Sequence, residues 1–212
     1  MRPEIVKAMS NVCQNLGQHR RLPVKAWLTG ALTVTLAAGS AVGASSPGPE
    51  ALDATLSTSK GERVQLSRWR GKPVILFYED KDSTTLNAPL KAELFTRGRE
   101  RGLLQSAFVV AVANLEKYDF FPAREIALSY VRDEEKKAGV PILVDLRGTL
   151  GQAPWKLPTK TSTVMLLDSE GTPVFRSSGR MKPEDQERFF VVLGELVGQD
   201  LSAEREEEEV RR

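Results

Sequence analysis

Side chains that can do chemistry are concentrated in one short stretch, between residues 79 and 85. The stretch reads EDKDSTT, so carboxylate, ammonium and hydroxyl groups follow one another without an intervening apolar residue. Carboxylate oxygens are suitable ligands for Ca²⁺ or Mg²⁺, and a hydroxyl beside a basic group such as Lys81 can act as a nucleophile. The candidate residues are Lys81, Asp82, Ser83, Thr84 and Thr85.

The same residues have simpler interpretations, which the pattern favours. Ser, Thr and Asp accept hydrogen bonds from the first N–H groups of a helix, so 82–85 are predicted to cap the helix that follows. The carboxylate spacing matches no familiar metal loop, so we expect a solvated loop and no metal or other cofactor. A further alternative is that the positive end of this helix binds an anion or a peptide carbonyl.

The chain has one cysteine and one histidine, Cys13 and His19, and both lie in its first 44 residues. If this segment is a leader that is removed, the exported domain has neither a thiol nor an imidazole. Dithiol exchange and cysteine-dependent peroxide reduction need a thiolate. A Ser-His-Asp triad needs an imidazole, and zinc sites are commonly built from His and Cys. What remains is carboxylate, lysine, tyrosine and hydroxyl chemistry, or binding.

Residues 1–44 have the layout of a secretory signal peptide: a basic segment, an uncharged apolar stretch, and small residues before a turn-rich break. We predict cleavage after Ala44, with 45–50 as a linker. We therefore expect an exported protein, with the periplasm as its compartment. Two alternatives stay open. A retained leader is just long enough to span a membrane, and Arg20-Arg21 faintly resembles a twin-arginine signal.

Beyond the leader, the charges nearly balance. The whole chain carries 30 Lys and Arg and 28 Asp and Glu, and residues 1–44 hold five of the basic and one of the acidic residues, which leaves 25 against 27 and a net charge of −2. A mildly acidic body lacks the basic surface that binds phosphate backbones, so nucleic acid is excluded as a partner. The membrane is a partner only through an uncleaved leader.

Alternating apolar runs and amphipathic stretches predict an α/β domain over 51–199 with a mixed sheet. Alternation on both sides of 59–61 predicts an N-terminal β-hairpin, and the apolar run 73–78 predicts a buried central strand. The other predicted elements are helices over 85–101, 122–137 (ended by Gly139) and 184–197, strands over 106–113 and 140–145, a hairpin over 161–177, and a charged, disordered tail over 200–212.

Three of these stretches resemble the thioredoxin-like superfamily, in particular its exported redoxin branch. Residues 66–77 (LSRWRGKPVILF) are similar to the segment that leads into the family's central strand. Residues 80–94 are similar to the turn and helix where the family carries Cys-x-x-Cys, and 161–171 to its cis-proline strand and the aspartate-glycine turn after it. The resemblance covers about residues 50–198. It implies a thioredoxin-like fold, with a mixed central β-sheet flanked by helices.

Within that superfamily, the chain is most similar to the YtfJ-type periplasmic proteins. The similarity lies in 86–88 (LNA), 155–157 (WKL) and 161–168 (TSTVMLLD). The chain departs from the wider family in both halves of the redox site, because no cysteine occurs near 81–85 and Ser162 stands where the family has its cis-proline. The resemblance therefore implies a degenerate active-site face, formed by 81–85 with Thr161 and Ser162.

The function that these observations favour is a redox-inactive, exported module that binds a protein or an extended peptide. Its predicted contacts are the helix start at 82–85 and a free strand edge near 161–163, because strand edges bind extended chains through backbone hydrogen bonds. One rival is a thiol-independent enzyme, dependent on carboxylates or a divalent metal, that uses Asp80, Asp82 or Asp145. The other is a structural protein tethered to the membrane by its leader.

Overall fold

The computed structural model describes residues 50–138 and 141–199 of the chain. Within these ranges, the strands are β1 (Thr55–Thr58), β2 (Arg63–Gln65), β3 (Val74–Glu79), β4 (Phe108–Asn114), β5 (Ile142–Asp145), β6 (Thr163–Leu167) and β7 (Pro173–Ser178). The helices are α1 (Ala88–Glu100), α2 (Leu103–Ser106), α3 (Ala123–Ala138) and α4 (Pro183–Val197). Single 3₁₀ turns lie at Leu66–Trp69, Glu116–Tyr118 and Thr149–Gly151.

The strands form one mixed sheet in the order β2-β1-β5-β4-β3-β6-β7. β3, β4 and β5 run parallel, and the other neighbours pair antiparallel. Every residue of β3 is buried, as a continuous apolar run at the centre of a sheet requires. The predicted mixed sheet, its flanking helices and the N-terminal hairpin are confirmed.

Each face of the sheet carries its own hydrophobic core, because alternate residues of a strand point to opposite faces. Ile75 and Phe77 of β3 pack with α1, α2 and α4, around Leu90, Leu94 and Phe189. The other face buries side chains from the hairpin, the central strands and the segment after β5: Leu56, Val64, Leu76, Tyr78, Leu150, Trp155 and Met165 are among them. A smaller cluster joins α3 to the sheet through Val131, Leu115 and Val144.

Two predicted boundaries near the candidate site were wrong. Helix α1 begins at Ala88 rather than at residue 85, since residues 81–87 form successive turns. Pro89, in its first turn, suits a helix start because the first N–H groups have no partner within the helix. Strand β6 begins at Thr163, two residues later than predicted. Both shifts move predicted site residues out of regular elements and into the connections between them.

Several predictions lie outside the described residues: the leader and its cleavage site, most of the linker, the helix end at Gly139 and the charged tail. Of the helices within 50–138 and 141–199, none combines the length and apolar character needed to cross a membrane.

Candidate degenerate active site

One end of the sheet gathers the connections that carry the candidate residues. The parallel strands β3, β4 and β5 end there at Glu79, Asn114 and Asp145, and the antiparallel strand β6 begins there at Thr163. The register places Tyr78 opposite Thr163 and Asn114 opposite Asp145. Segments 80–87 and 159–162 therefore lie at the same end of the sheet, at the carboxyl ends of the parallel strands, where open α/β sheets commonly bind ligands.

The turn after β3 is held by its own side chains. Asp80 Oδ1 accepts hydrogen bonds from the N–H groups of Asp82 (3.2 Å) and Ser83 (3.1 Å). The Ser83 hydroxyl in turn accepts from Asp80 N–H (3.0 Å) and donates to Asp80 O (3.1 Å). The prediction that 82–85 cap α1 was therefore wrong. The residue that precedes the helix is Asn87, and its side chain makes no capping bond either.

A buried polar network occupies the place that the resemblance assigns to the redox site. The Ser162 hydroxyl donates to Glu79 Oε1 (2.7 Å) and accepts from Asn87 Nδ2 (3.0 Å). The other Glu79 oxygen pairs with the Lys91 ammonium at 2.6 Å. This ammonium also donates to Thr84 O (3.1 Å) and lies 5.3 Å from the centre of the Phe77 ring. The network therefore joins β3, α1 and the start of β6.

Asn87 extends this network to the connection between β7 and α4. Its Nδ2 donates to Gly179 O (2.9 Å), and its Oδ1 accepts from Met181 N–H (2.9 Å). The Asn87 amide therefore has partners on two separate segments, the residue before β6 and the β7–α4 connection. Because Ser162 is 0% exposed, its hydroxyl serves this internal network and is closed to a partner molecule.

The prediction of a free strand edge at 161–163 was also wrong. β6 lies between β3 and β7 in the sheet, and Thr163 pairs with Tyr78 on one side and Ser178 on the other. Ser162 O accepts from Gly179 N–H (2.8 Å), so the residue before the strand is paired as well. A strand paired on both sides cannot add an extended peptide laterally.

Of the carboxylates proposed for a hydrolytic or metal site, Asp145 is fully engaged in holding the backbone. Asp145 is buried, and its two oxygens accept from Thr149 and Leu150 N–H, each at 2.8 Å. Tyr78 donates to the same carboxylate at 3.4 Å, and burial, followed by the charge of Asp145, raises the pKa of Tyr78 well above its ordinary value. Among the described residues, no three His, Cys, Asp or Glu side chains are placed to hold a metal ion.

A cleft of about 320 Å³, lined by polar and charged residues, opens beside the turn. An ion pair between Lys117 and Asp82, with 3.1 Å between Nζ and Oδ2, links the turn to the segment after β4. This hydrogen bond raises the pKa of Lys117. The cleft is lined by Asp80, Asn114, Glu116, Lys117, Thr159 and Lys160.

An exposed apolar surface lies close to the turn, on the segment that enters α3. We call Phe120, Phe121, Ile126 and Tyr130 the aromatic patch. Their exposed fractions are 59%, 87%, 68% and 49%, and Ile126 and Tyr130 are one helical turn apart. The Lys81 ammonium lies 5.7 Å from the centre of the Tyr130 ring, so Tyr130 of the patch lies beside the turn.

The structure thus divides the predicted site residues into two groups. Lys81, Asp82, Thr84 and Thr85 are exposed on the turn, and Thr161 is half-buried. Ser83 and Ser162 are buried and act within the protein. Sequence reasoning missed the aromatic patch, for which the consecutive Phe120 and Phe121 beside Pro122 were the available signal.

It also missed the internal pairing of Glu79 with Lys91, for which the sequence held no signal, because the two residues meet only in the folded chain. Two tryptophans lie away from these residues: Trp155 is buried in the core on the other face of the sheet, and Trp69 packs against the same core.

Comparison with solved structures agrees with this architecture. The exposed lipoprotein thioredoxin of Streptococcus pneumoniae is similar with a TM-score of 0.51 and 21% identity, over 68% of this chain and 100% of that one. A Chlorobium tepidum protein described as a candidate thiol:disulfide interchange protein DsbE is similar with a TM-score of 0.51 and 19% identity, over 71% of this chain and 96% of that one. An uncharacterized conserved protein of Geobacillus kaustophilus is similar with a TM-score of 0.53 and 15% identity, over 73% of this chain and 85% of that one.

These identities support the fold alone, and the described part of the chain has a thioredoxin-like fold. No protein-family model and no curated protein matches the chain.

Proposed function

We propose that this chain is an exported, redox-inactive thioredoxin-fold protein that binds an extended peptide segment of another exported protein. The observation that carries the proposal is the buried Glu79–Lys91–Ser162–Asn87 network, which lies beside an open cleft and an exposed aromatic patch. Cys13 is the only cysteine of the sequence, so residues 14–212 cannot form a dithiol. The cleft and the aromatic patch stay exposed although residues 14–212 lack dithiol chemistry, and such a surface is suited to binding.

The size and charge of the exposed surface favour a peptide over a second copy of the chain. From the exposed fractions of its four residues, the aromatic patch offers on the order of 500 Å², whereas a stable interface buries about 800 Å² per partner. Within the described part of the chain, no carboxylate lies within 4 Å of the Lys81 or Lys160 ammonium. The peptide we propose therefore carries apolar side chains and an acidic residue.

Its binding mode differs from strand addition, because β6 is paired on both sides. The peptide would lie across the turn 81–85 and the aromatic patch, with its apolar side chains on Phe121 and Ile126. Aromatic residues are enriched in interfaces because they bury a large area at small entropic cost. Lys81, between the turn and Tyr130, would pair with the acidic residue.

The proposal also includes export of the protein and its kinship with the YtfJ-type periplasmic proteins. The basic and apolar layout of 1–44 supports secretion, with the periplasm as the compartment. One similar structure is described as an exposed lipoprotein, which agrees with an extracytoplasmic setting. The segments 86–88, 155–157 and 161–168 support kinship with the YtfJ-type periplasmic proteins.

The redox part of the proposal is tested on the protein purified from the exported fraction. We expect no reactive thiol and no dithiothreitol-dependent reduction of insulin, because the exported domain lacks the attacking thiolate. Disulfide reductase activity in a preparation whose mass shows that Cys13 is absent would contradict redox inactivity.

The binding part is tested by photo-crosslinking in the exporting cell. A photoreactive phenylalanine analogue at position 121 is expected to give discrete protein adducts that decrease when Ile126→Ser is added, because the two positions belong to one patch. The matched control places the analogue at position 174, since Val174 is exposed on β7, outside the patch. Equal adducts from both positions, or adducts indifferent to Ile126→Ser, would count against peptide binding at this face.

A further inference from the structure

The cleft beside the turn contains a carboxylate that the protein uses only in part. Asp80 is 6% exposed and lines the cleft. Its Oδ1 accepts the two N–H groups of the turn, whereas its Oδ2 accepts no hydrogen bond from the described residues. Asp80 Oδ2 is therefore an acceptor available to a donor in the cleft.

The rest of the cleft offers hydrogen-bond donors. Asn114 is nearly buried, and its Oδ1 accepts from Glu116 N–H at 3.0 Å. Its Nδ2 donates to no acceptor in 50–138 or 141–199. Lys160 also lines the cleft. It has a φ of +59°, in the left-handed region that non-glycine residues rarely adopt, and its ammonium has no carboxylate partner among the described residues. Backbone in this region often marks binding sites.

The geometry points to an amino terminus as the ligand: we propose that this cleft binds the free amino-terminal residue of a polypeptide. The α-ammonium would donate to Asp80 Oδ2, and the first peptide carbonyl would accept from Asn114 Nδ2 or the Lys160 ammonium. Capture of terminal amines is a recurrent mode of peptide recognition. The inference rests on the proposed function and specifies which part of the peptide enters the cleft.

Charge and volume both favour this ligand. Two of the lining residues are acidic and two are basic, and Lys117 is already paired with Asp82. A purely anionic ligand would face Asp80 and Glu116, and a purely cationic one would face Lys160. A ligand that carries an ammonium next to a carbonyl oxygen complements both the acidic and the basic residues of the cleft. The volume of about 320 Å³ lies at the lower end of the range of small-ligand sites, which suits one residue rather than a folded segment.

The test compares two forms of one apolar hexapeptide that contains a single glutamate, labelled with a fluorophore at its carboxyl end. One form has a free amino terminus and the other is acetylated, which removes the ammonium charge. Binding to the purified exported protein is followed by fluorescence anisotropy. We expect the acetylated peptide to bind at least about tenfold more weakly, the effect of losing one charge-assisted hydrogen bond.

Asp80→Asn is the decisive variant, because an asparagine keeps an Oδ1 acceptor for the turn and removes the carboxylate charge. We expect it to lower affinity for the free peptide to that for the acetylated one. The matched control is Asp168→Asn. Asp168 Oδ1 likewise accepts two turn N–H groups, from Glu170 and Thr172, in the β6–β7 turn at the other end of the sheet. Thermal unfolding of both variants verifies that they fold.

The outcomes separate this inference from the proposed function. Equal binding of the two peptides, lost in Phe121→Ser but retained in Asp80→Asn, would overturn the cleft assignment and leave peptide binding intact. Failure of both peptides to bind would overturn both. Competition by free alanine as strong as that by the peptide, and dependent on Asp80, would assign the cleft to a free amino acid and overturn the polypeptide source.

Discussion

At the scale of single residues, the candidate site contains side chains of two kinds, and their hydrogen bonds distinguish them. Asn87 and Ser162 use their polar atoms on partners inside the protein. Asp80 lines the cleft and uses one carboxylate oxygen internally, whereas the other accepts no hydrogen bond from the described residues. Substitution of the first kind should therefore change stability, and substitution of the second kind should change binding.

Asn87→Ala is expected to lower the free energy of unfolding by about 3 kcal/mol, because it leaves Met181 N–H and Gly179 O without their partner in a buried setting. Urea unfolding followed by circular dichroism measures the change. Gln152→Ala is the control, since the exposed Gln152 side chain makes a single long hydrogen bond, to Arg147 O, among the described residues. A loss for Asn87→Ala no larger than that for the control would show that the network contributes little to stability.

Tyr78 gives a prediction for alkaline pH. Burial, followed by the Asp145 charge, raises its pKa above the ordinary 10.0, so the folded state holds the phenolic proton more tightly than the unfolded state does. The stability that this provides is complete below pH 10 and is lost as the pH rises above it, because the unfolded chain then releases the proton first. We expect Tyr78→Phe to reduce the loss of unfolding free energy between about pH 8 and about pH 11.

The control for this pH dependence is Tyr130→Phe, because the Tyr130 ring is half exposed on α3. It should leave the alkaline loss of stability as in the unmodified protein. If both variants lose stability in parallel with the unmodified protein, lysines or other tyrosines cause the alkaline effect.

At the scale of elements, the sequence predicted the strands better than the connections between them. The run 73–78 and the stretch 106–113 are apolar because β3 is buried along its whole length and β4 is buried or half-buried, and this signal is local. The start of α1 was misplaced because the Ser, Thr and Asp residues that hold a turn are the types that also cap helices. The pairing of β6 depends on β7 arriving beside it, which no local pattern specifies.

The turn 80–87 can be tested as an element by comparing two of its hydroxyl residues. Ser83→Ala is expected to cost about 1 to 2 kcal/mol of unfolding free energy, because its buried hydroxyl bonds both Asp80 N–H and Asp80 O. Thr85→Ala should cost less than about 0.5 kcal/mol, because Thr85 is exposed and lies before the helix. A cost of about 1 kcal/mol for Thr85→Ala would instead indicate the capping role first predicted from the sequence.

At the scale of the whole molecule, one sheet divides two cores that no single element could stabilise alone. β3 contributes Ile75 and Phe77 to one core and Leu76 and Tyr78 to the other. The alternation along β3 could be read from the sequence, but which helix covers which face could not, because it depends on the crossovers between β3, β4 and β5. The candidate site lies at the end of this shared strand, so its geometry depends on both cores.

Because the two cores share β3, β4 and β6, we expect them to unfold together. Leu90→Ala removes a fully buried side chain from the helix-covered core and should cost about 2 to 5 kcal/mol. The fluorescence of Trp155, in the opposite core, should then shift to the same lower denaturant midpoint as the helical circular dichroism signal. Leu150→Ala, on the Trp155 side, is the reciprocal control. The background variant Trp69→Phe limits the fluorescence signal to Trp155 and to Trp27 of the leader. Two separate midpoints in Leu90→Ala would show that the faces of the sheet unfold independently and that the site can lose its helix while the other core stays folded.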